Sequence, residues 1–84
     1  MIPTNAIVIR HATAADAAPL RDLAVLDSQA SLTGPALIAE VDGVLRAALD
    51  LDDERVVADP FTRTADLVAL LRLRARRLAA LDRP

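Results

Sequence analysis

The chain holds one histidine, His11, no cysteine, and ten basic residues that are all arginine. A disulfide framework or a thiolate metal centre is excluded by that composition, and one imidazole leaves a zinc site short of nitrogen ligands. His11 with Ser28 or Ser31 and an aspartate has the residue types of a nucleophilic triad. No nucleophile-elbow motif presents either serine, so surface and capping roles are expected for these residues. Asp50, Asp52, Asp53 and Glu54 gather the oxygen ligands of a hard-cation site, but without EF-hand spacing or a glycine to turn a chelating loop. A solvated hairpin tip is expected there. Arg72, Arg74, Arg76 and Arg77 suit phosphate groups, yet they spread around a helix whose carbonyl end favours cations anyway. The net charge of −2 supplies no field toward nucleic acid or acidic lipid, and Phe61 is the only aromatic residue for stacking. No catalytic residue and no metal is therefore assigned, and neither nucleic acid nor membrane is an expected partner.

The elements that must position these residues follow from hydrophobic patterning. At 84 residues, 54% apolar and 26% charged, the chain lies far from the composition of disorder and is expected to fold as one small domain over residues 1–84. No stretch is long enough to span a membrane, and Met1 to Ala6 lacks the basic start and apolar core of a signal peptide, so a cytoplasmic location is expected. Ile7-Val8-Ile9 is β-branched and predicts a strand from about Ala6 to His11. Thr13-Ala14-Ala15-Asp16 then fits a capping box, in which the threonine hydroxyl and the aspartate carboxylate each take a free amide. Leu20, Leu23, Ala24, Val25 and Leu26 recur at helical spacing up to about Ser28, and Pro19 requires either a helix start near Ala17 or a bent first turn.

Asp27 to Pro35 reads as a loop, and the strongest local signal comes next. Ala36–Val41 and Val44–Leu49 flank Asp42-Gly43, the dipeptide that a type I′ hairpin requires. A regular ladder from that turn opposes Val41 to Val44, Ala39 to Arg46 and Ile38 to Ala47. Both faces of the hairpin are apolar, so cover is required on each side, from helices or from a second subunit. A reversal at Asp52-Asp53-Glu54 leads to a further strand at Arg55–Ala58, ending at Asp59-Pro60. Thr64 caps a second helix that runs to about Leu81, with Leu67, Leu70, Leu71, Leu78 and Leu81 on one face and Arg74 in the middle of that stripe. A guanidinium there must either snorkel to water or meet an acid, for which Glu40, Asp59 and a neighbouring subunit's carboxylate are the candidates. The predicted architecture is α/β in the α+β sense: β-α-β-β-β-α, with a mainly antiparallel four-stranded sheet and two main helices.

Ile9-Arg10-His11-Ala12-Thr13 followed by Asp16 resembles the opening strand-to-helix junction of the GNAT acetyltransferase superfamily, which often reads I-R-x-A-T-x-x-D. Ala39-Glu40-Val41-Asp42-Gly43 is similar to the V-A-E-x-D-G of that superfamily's second and third strands. The order of elements over nearly all of the chain is that of the N-terminal half of the GNAT fold, so a truncated GNAT-like domain is expected, without the fifth strand that opens the pantetheine cleft. The resemblance implies acetyl-CoA chemistry. Pro60-Phe61-Thr62-Arg63 fits the entry to the superfamily's R/Q-x-x-G-x-G/A pyrophosphate loop. Thr64, Asp66 and Val68 stand where its glycines would be, and Asp66 sets a negative charge against phosphate.

The leading expectation is a non-catalytic GNAT-like binding or assembly module without cofactor, forming a homo-oligomer or engaging a protein partner. The open fourth strand at Arg55–Ala58 is its expected margin for a homodimer. The alternative is a minimal acetyl-CoA-dependent N-acyltransferase or acyl-CoA binder that completes its cleft across a dimer. Arg63, Thr64, Ala65, Asp66, Leu67 and Val68 would then hold the pyrophosphate, with Glu40 or a water as general base.

Overall fold

The structure, a computed structural model, describes residues 6–81. The elements in chain order are β1 (Ile7–His11), a 3₁₀ turn (Ala14–Asp16), α1 (Ala17–Leu26), β2 (Ala36–Val41), β3 (Val44–Asp50), β4 (Val56–Ala58) and α2 (Ala65–Leu81). The four strands lie in the order β1-β2-β3-β4, and each neighbouring pair is antiparallel. This is the predicted α+β architecture, with one helix on each face of the sheet. Leu37, Ala39, Ala47 and Leu49 pack beneath Leu67, Leu71 and Ala75 of α2. Ile38, Ala48 and Val57 alternate to the other face and meet Leu23 and Ala24 of α1. Near-continuous apolar strands are thus explained by burial on both sides.

Of the two starts expected for the first helix the structure takes the one near Ala17, and three departures from the predicted layout have local causes. The chain between Thr13 and Ala17 forms a tight 3₁₀ turn, and the α-helix proper begins at Ala17. Pro19 then occupies the first helical turn, where a missing N–H leaves no bond unmade. In α1 only Leu23 and Ala24 are buried, while Val25 and Leu26 are 73% and 48% exposed. The helix is short and touches the sheet along a narrow line.

The hairpin turn is as predicted, with Asp42 at φ 52° and Gly43 at φ 83°, but the ladder that follows is not regular. Val41 opposes Val44 and Glu40 opposes Leu45, after which the register shifts and Ala39 opposes Ala47. Arg46 is the extra residue of a β-bulge, so the predicted pairs Ala39–Arg46 and Ile38–Ala47 do not form. The shift places Ala39, Ala47 and Ala58 in register across three strands within the α2 cluster and frees Arg46 to bond Asp59.

In α2 the core-facing stripe is Leu67, Leu71 and Ala75, with Leu78 partly buried. Leu70 and Leu81 are 40% and 80% exposed, and Arg74 is also exposed. The helix is rotated slightly from the all-leucine phase, so that Ala75 faces the sheet and the guanidinium of Arg74 keeps its hydration.

Candidate functional site

The strand-to-helix junction gathers a dense polar network around Arg10 and Asp16. Arg10 at the end of β1 forks onto Asp16, with Nη1 to Oδ2 and Nη2 to Oδ1 both at 2.9 Å, and its Nε donates to Glu40 Oε1 at 3.2 Å. Asp16 also accepts the Thr13 backbone N–H at 2.7 Å, which is the carboxylate half of the predicted capping box, and the Thr13 hydroxyl donates to the same oxygen at 3.2 Å. The Arg10 bonds, followed by the Thr13 amide, hold the Asp16 carboxyl well below the usual carboxylate range. Asp16 and then Glu40 hold the Arg10 guanidinium charged far above its ordinary range. Every polar residue of the Arg10-x-x-Thr13-x-x-Asp16 motif is therefore engaged in fixing β1 to the start of α1.

A cleft of about 460 Å³ opens on the α2 side between the hairpin turn and the start of α2. Ile7, Val41 and Leu67 give it an apolar floor, and Arg46, Arg63 and Asp66 stand at its polar wall. Arg46 is anchored by Asp59, with Nη1 to Oδ2 at 2.7 Å, while Asp59 also accepts the Phe61 amide at 2.8 Å. The turn after β4 is thereby tied to the bulge. Of the six residues considered for a pyrophosphate, the structure brings Arg63, Asp66 and Leu67 to this cleft and leaves Thr64, Ala65 and Val68 outside its lining. The Val68 amide donates to the Thr64 carbonyl at 2.9 Å, because the helical bonding pattern is already established at that position, and its side chain packs on the core.

The two internal ion pairs considered for Arg74, with Glu40 and with Asp59, are replaced by others. Glu40 bonds Arg10, Asp59 bonds Arg46, and Arg74 is exposed on α2. Glu40 follows Ala39 and precedes Val41, which both belong to the α2-side cluster, so its carboxylate lies on the opposite face of the sheet from the cleft. It is not placed to act as a base there.

The acidic hairpin tip was expected to be solvated, and at Asp50 the structure corrects that expectation. Asp50 is 3% exposed, and its carboxylate accepts the backbone amides of Asp52 at 2.8 Å, Asp53 at 3.2 Å and Gly34 at 3.4 Å. Burial alone would raise its pKa, but those three amides outweigh burial and hold the carboxyl below its ordinary value. Asp50 is thus the acceptor that closes the β3–β4 turn and the loop before β2. Its signal was an aspartate two and three residues before amides of a tight turn. Among the described residues no group of three or more His, Cys, Asp or Glu is arranged to hold a metal ion.

The sheet has two unlike edges. On β4 the Asp50 N–H to Arg55 carbonyl and Asp59 N–H to Arg46 carbonyl bonds fix odd-numbered residues toward β3, so Val56 and Ala58 point their amides outward. The Ala58 N–H is taken by Asp27 Oδ2 at 3.1 Å, and Arg55 pins the preceding loop through the carbonyls of Ala30 and Ser31 at 2.6 and 2.8 Å. The edge expected to be open is therefore three residues long and partly closed by its own loop. On β1 the Asp42–Ala6 and Ala12–Ala36 bonds fix even-numbered residues toward β2. Ile7, Ile9 and His11 then direct their backbone groups outward, and among the described residues the only bond to these groups comes from Arg10 Nη1 to the His11 carbonyl.

Compared with protein-family models, with curated proteins and with solved structures, the chain finds no match. No helix among the described residues is long and apolar enough to cross a membrane.

Proposed function

We propose that this chain is a GNAT-like domain that does not catalyse acetyl transfer and acts as an assembly module, forming a homodimer. The observation that carries this reading is the exposed apolar margin along β1 and the adjoining flank of α2. Ile7 and Val8 are each 47% exposed, and Leu70 and Leu73 are 40% and 41% exposed. Asp66 and Leu67 meet Ile7 across the cleft, and Leu70 and Leu73 follow Asp66 at four and seven residues, on the same side of the helix. Val8, one residue on, lies on the opposite face of the sheet, so exposed apolar side chains flank this edge on both faces, as at an interaction site. The motif residues Arg10, Thr13, Asp16 and Glu40 support the non-catalytic part, since their polar groups are already engaged with one another. Dilution tests it: a dimer that melts to unfolded monomers has a thermal midpoint that rises with protein concentration. A midpoint that does not move, together with a monomer mass by sedimentation equilibrium, would remove the homodimer reading.

One observation favours acyl-CoA binding. Arg63 is exposed at the cleft beside the first turn of α2, where backbone amides favour an anion. Asp66 on the same wall opposes it. Calorimetric titration of acetyl-CoA and of free CoA decides between them. Heat that saturates, weakens in Arg63→Ala and strengthens in Asp66→Asn would establish the binder; no heat at millimolar ligand leaves the assembly reading.

A further inference from the structure

We propose that two copies join through β1, edge to edge and antiparallel, about a two-fold axis at Ile9, so that a single eight-stranded sheet runs through the dimer; this rests on the assembly reading. The geometry of the edge specifies the register. Among the described residues of β1, Ile7, Ile9 and His11 carry the outward backbone groups, so a symmetric pairing has to oppose these odd-numbered residues to one another. Centring on Ile9 opposes all three outward residues at once: Ile9 meets Ile9 of the second copy, and Ile7 meets His11 of the second copy in both directions. Centring on Val8 or Arg10 opposes only two of the three, and centring on Ile7 or His11 only one.

The side chains fit that register. Val8 falls opposite Arg10 of the second copy, whose guanidinium is already neutralised by Asp16 and Glu40, so no two arginines face each other. On the α2 face the half-buried Ile9 pair would continue the apolar cluster from one copy into the next. The two edges also differ in a way that ends the assembly at two. A two-fold pairing consumes both β1 edges, and what remains outermost is β4, short and partly closed by Asp27 and the Arg55-held loop. A second copy is thus the occupant that this edge fits, since an isologous contact requires no partner beyond the chain itself.

The chain has no cysteine, which makes cross-linking a clean test. In the proposed register the two Ile9 Cα atoms lie about 5.5 Å apart, within disulfide range, whereas the two His11 Cα atoms are separated by about 13 Å along the strands. Under mild oxidation Ile9→Cys is expected to run as a covalent dimer and His11→Cys as a monomer. Ile7→Pro, at the first residue of the strand, removes one outward N–H from each copy; at roughly fivefold per hydrogen bond, the dimer dissociation constant should weaken about twenty- to thirtyfold. Val8→Arg sets like charges opposite each other at an exposed position and should weaken it as well, with far-UV circular dichroism confirming the fold of each variant. A wild-type dimer that neither cross-links through Ile9→Cys nor weakens with Ile7→Pro and Val8→Arg overturns this interface while leaving assembly standing. Equal cross-linking through His11→Cys also overturns it. A wild-type chain that stays monomeric at every concentration overturns both the interface and the homodimer.

Discussion

The phase of α2 gives the sharpest quantitative test of the fold. The leucine spacing alone sets Leu71 and Arg74 on one face, whereas the structure buries Leu71 completely, at 0% exposure, and leaves Arg74 in water. Leu71→Ala removes a side chain enclosed by the strands and by its own helix, a change that typically costs about 2–5 kcal/mol. Stabilities near 0.05–0.15 kcal/mol per residue make that a large share of the total for 84 residues. Each kcal/mol corresponds to about 4–8 °C in a domain of this size, so Leu71→Ala should lower the midpoint by at least about 8 °C. Arg74→Ala at an exposed position should stay within about 0.5 kcal/mol, and Leu81→Ala, at 80% exposure, should also be mild. The chain lacks Trp and Tyr, so far-UV circular dichroism against heat and urea is the appropriate assay. Should Leu71→Ala not fold, Leu71→Met measures a milder version of the same site. The reasoning is refuted if Arg74→Ala destabilises as much as the Leu71 substitution, since the guanidinium would then be the group in contact with the sheet.

Acid should weaken the fold through Asp16 and Asp50, whose carboxyls are held below their ordinary value of 3.8 in the folded chain. Between the folded and unfolded values the unfolded chain binds more protons, so stability is full above the ordinary carboxylate range and declines as pH falls below it. Urea midpoints taken downward from neutral pH should show that decline, and Asp16→Asn should flatten it; an unchanged slope would remove Asp16 from the explanation. Gly43→Ala has open space around the added Cβ but a backbone φ of +83°, so a loss of about 1 kcal/mol is expected from backbone strain alone. Gly34→Ala should instead act through crowding, since its Cβ would lie 2.8 Å from an Asp52 carboxylate oxygen and 3.3 Å from one of Asp50. A urea midpoint equal to that of the wild type in either variant would contradict its assigned cause.

Element types and order were legible because they rest on local signals: β-branched residues at Ile7–Ile9, Asp42-Gly43 between two apolar runs, and helical spacing after Thr13 and Thr64. The bulge at Arg46 was not legible, because a turn motif fixes where a ladder begins and tertiary contacts decide whether it stays regular. Here Asp59, thirteen residues away, accepts Arg46 Nη1 on its carboxylate and donates its own backbone N–H to the Arg46 carbonyl at 2.9 Å, so the bulge is held by contacts from the end of β4. Arg74 misled for a related reason. Leucines outnumber the alanines on α2, but it is the small residue Ala75 that lets the helix approach the alanine-lined strands. Of the candidate site, the Arg10–Thr13–Asp16 motif was visible as a pattern, and its partner Glu40 was visible only as part of a second motif. The link between them needed the β1–β2 register that opposes Arg10 to Ile38 and brings Glu40 alongside.

The alanine row of Ala39, Ala47 and Ala58 beneath Ala75 has a consequence for how this chain tolerates change. Interiors built from leucine fail mainly by losing volume, whereas an alanine floor has almost no volume to lose. Its hazard is gain: a valine or leucine at Ala39 or Ala47, both at 0% exposure, would wedge α2 away from the strands and cost about 1–3 kcal/mol. Substitutions that enlarge side chains under α2 are thus closed to this sequence unless a second change on the helix makes room, so drift at these sites must proceed in compensated pairs.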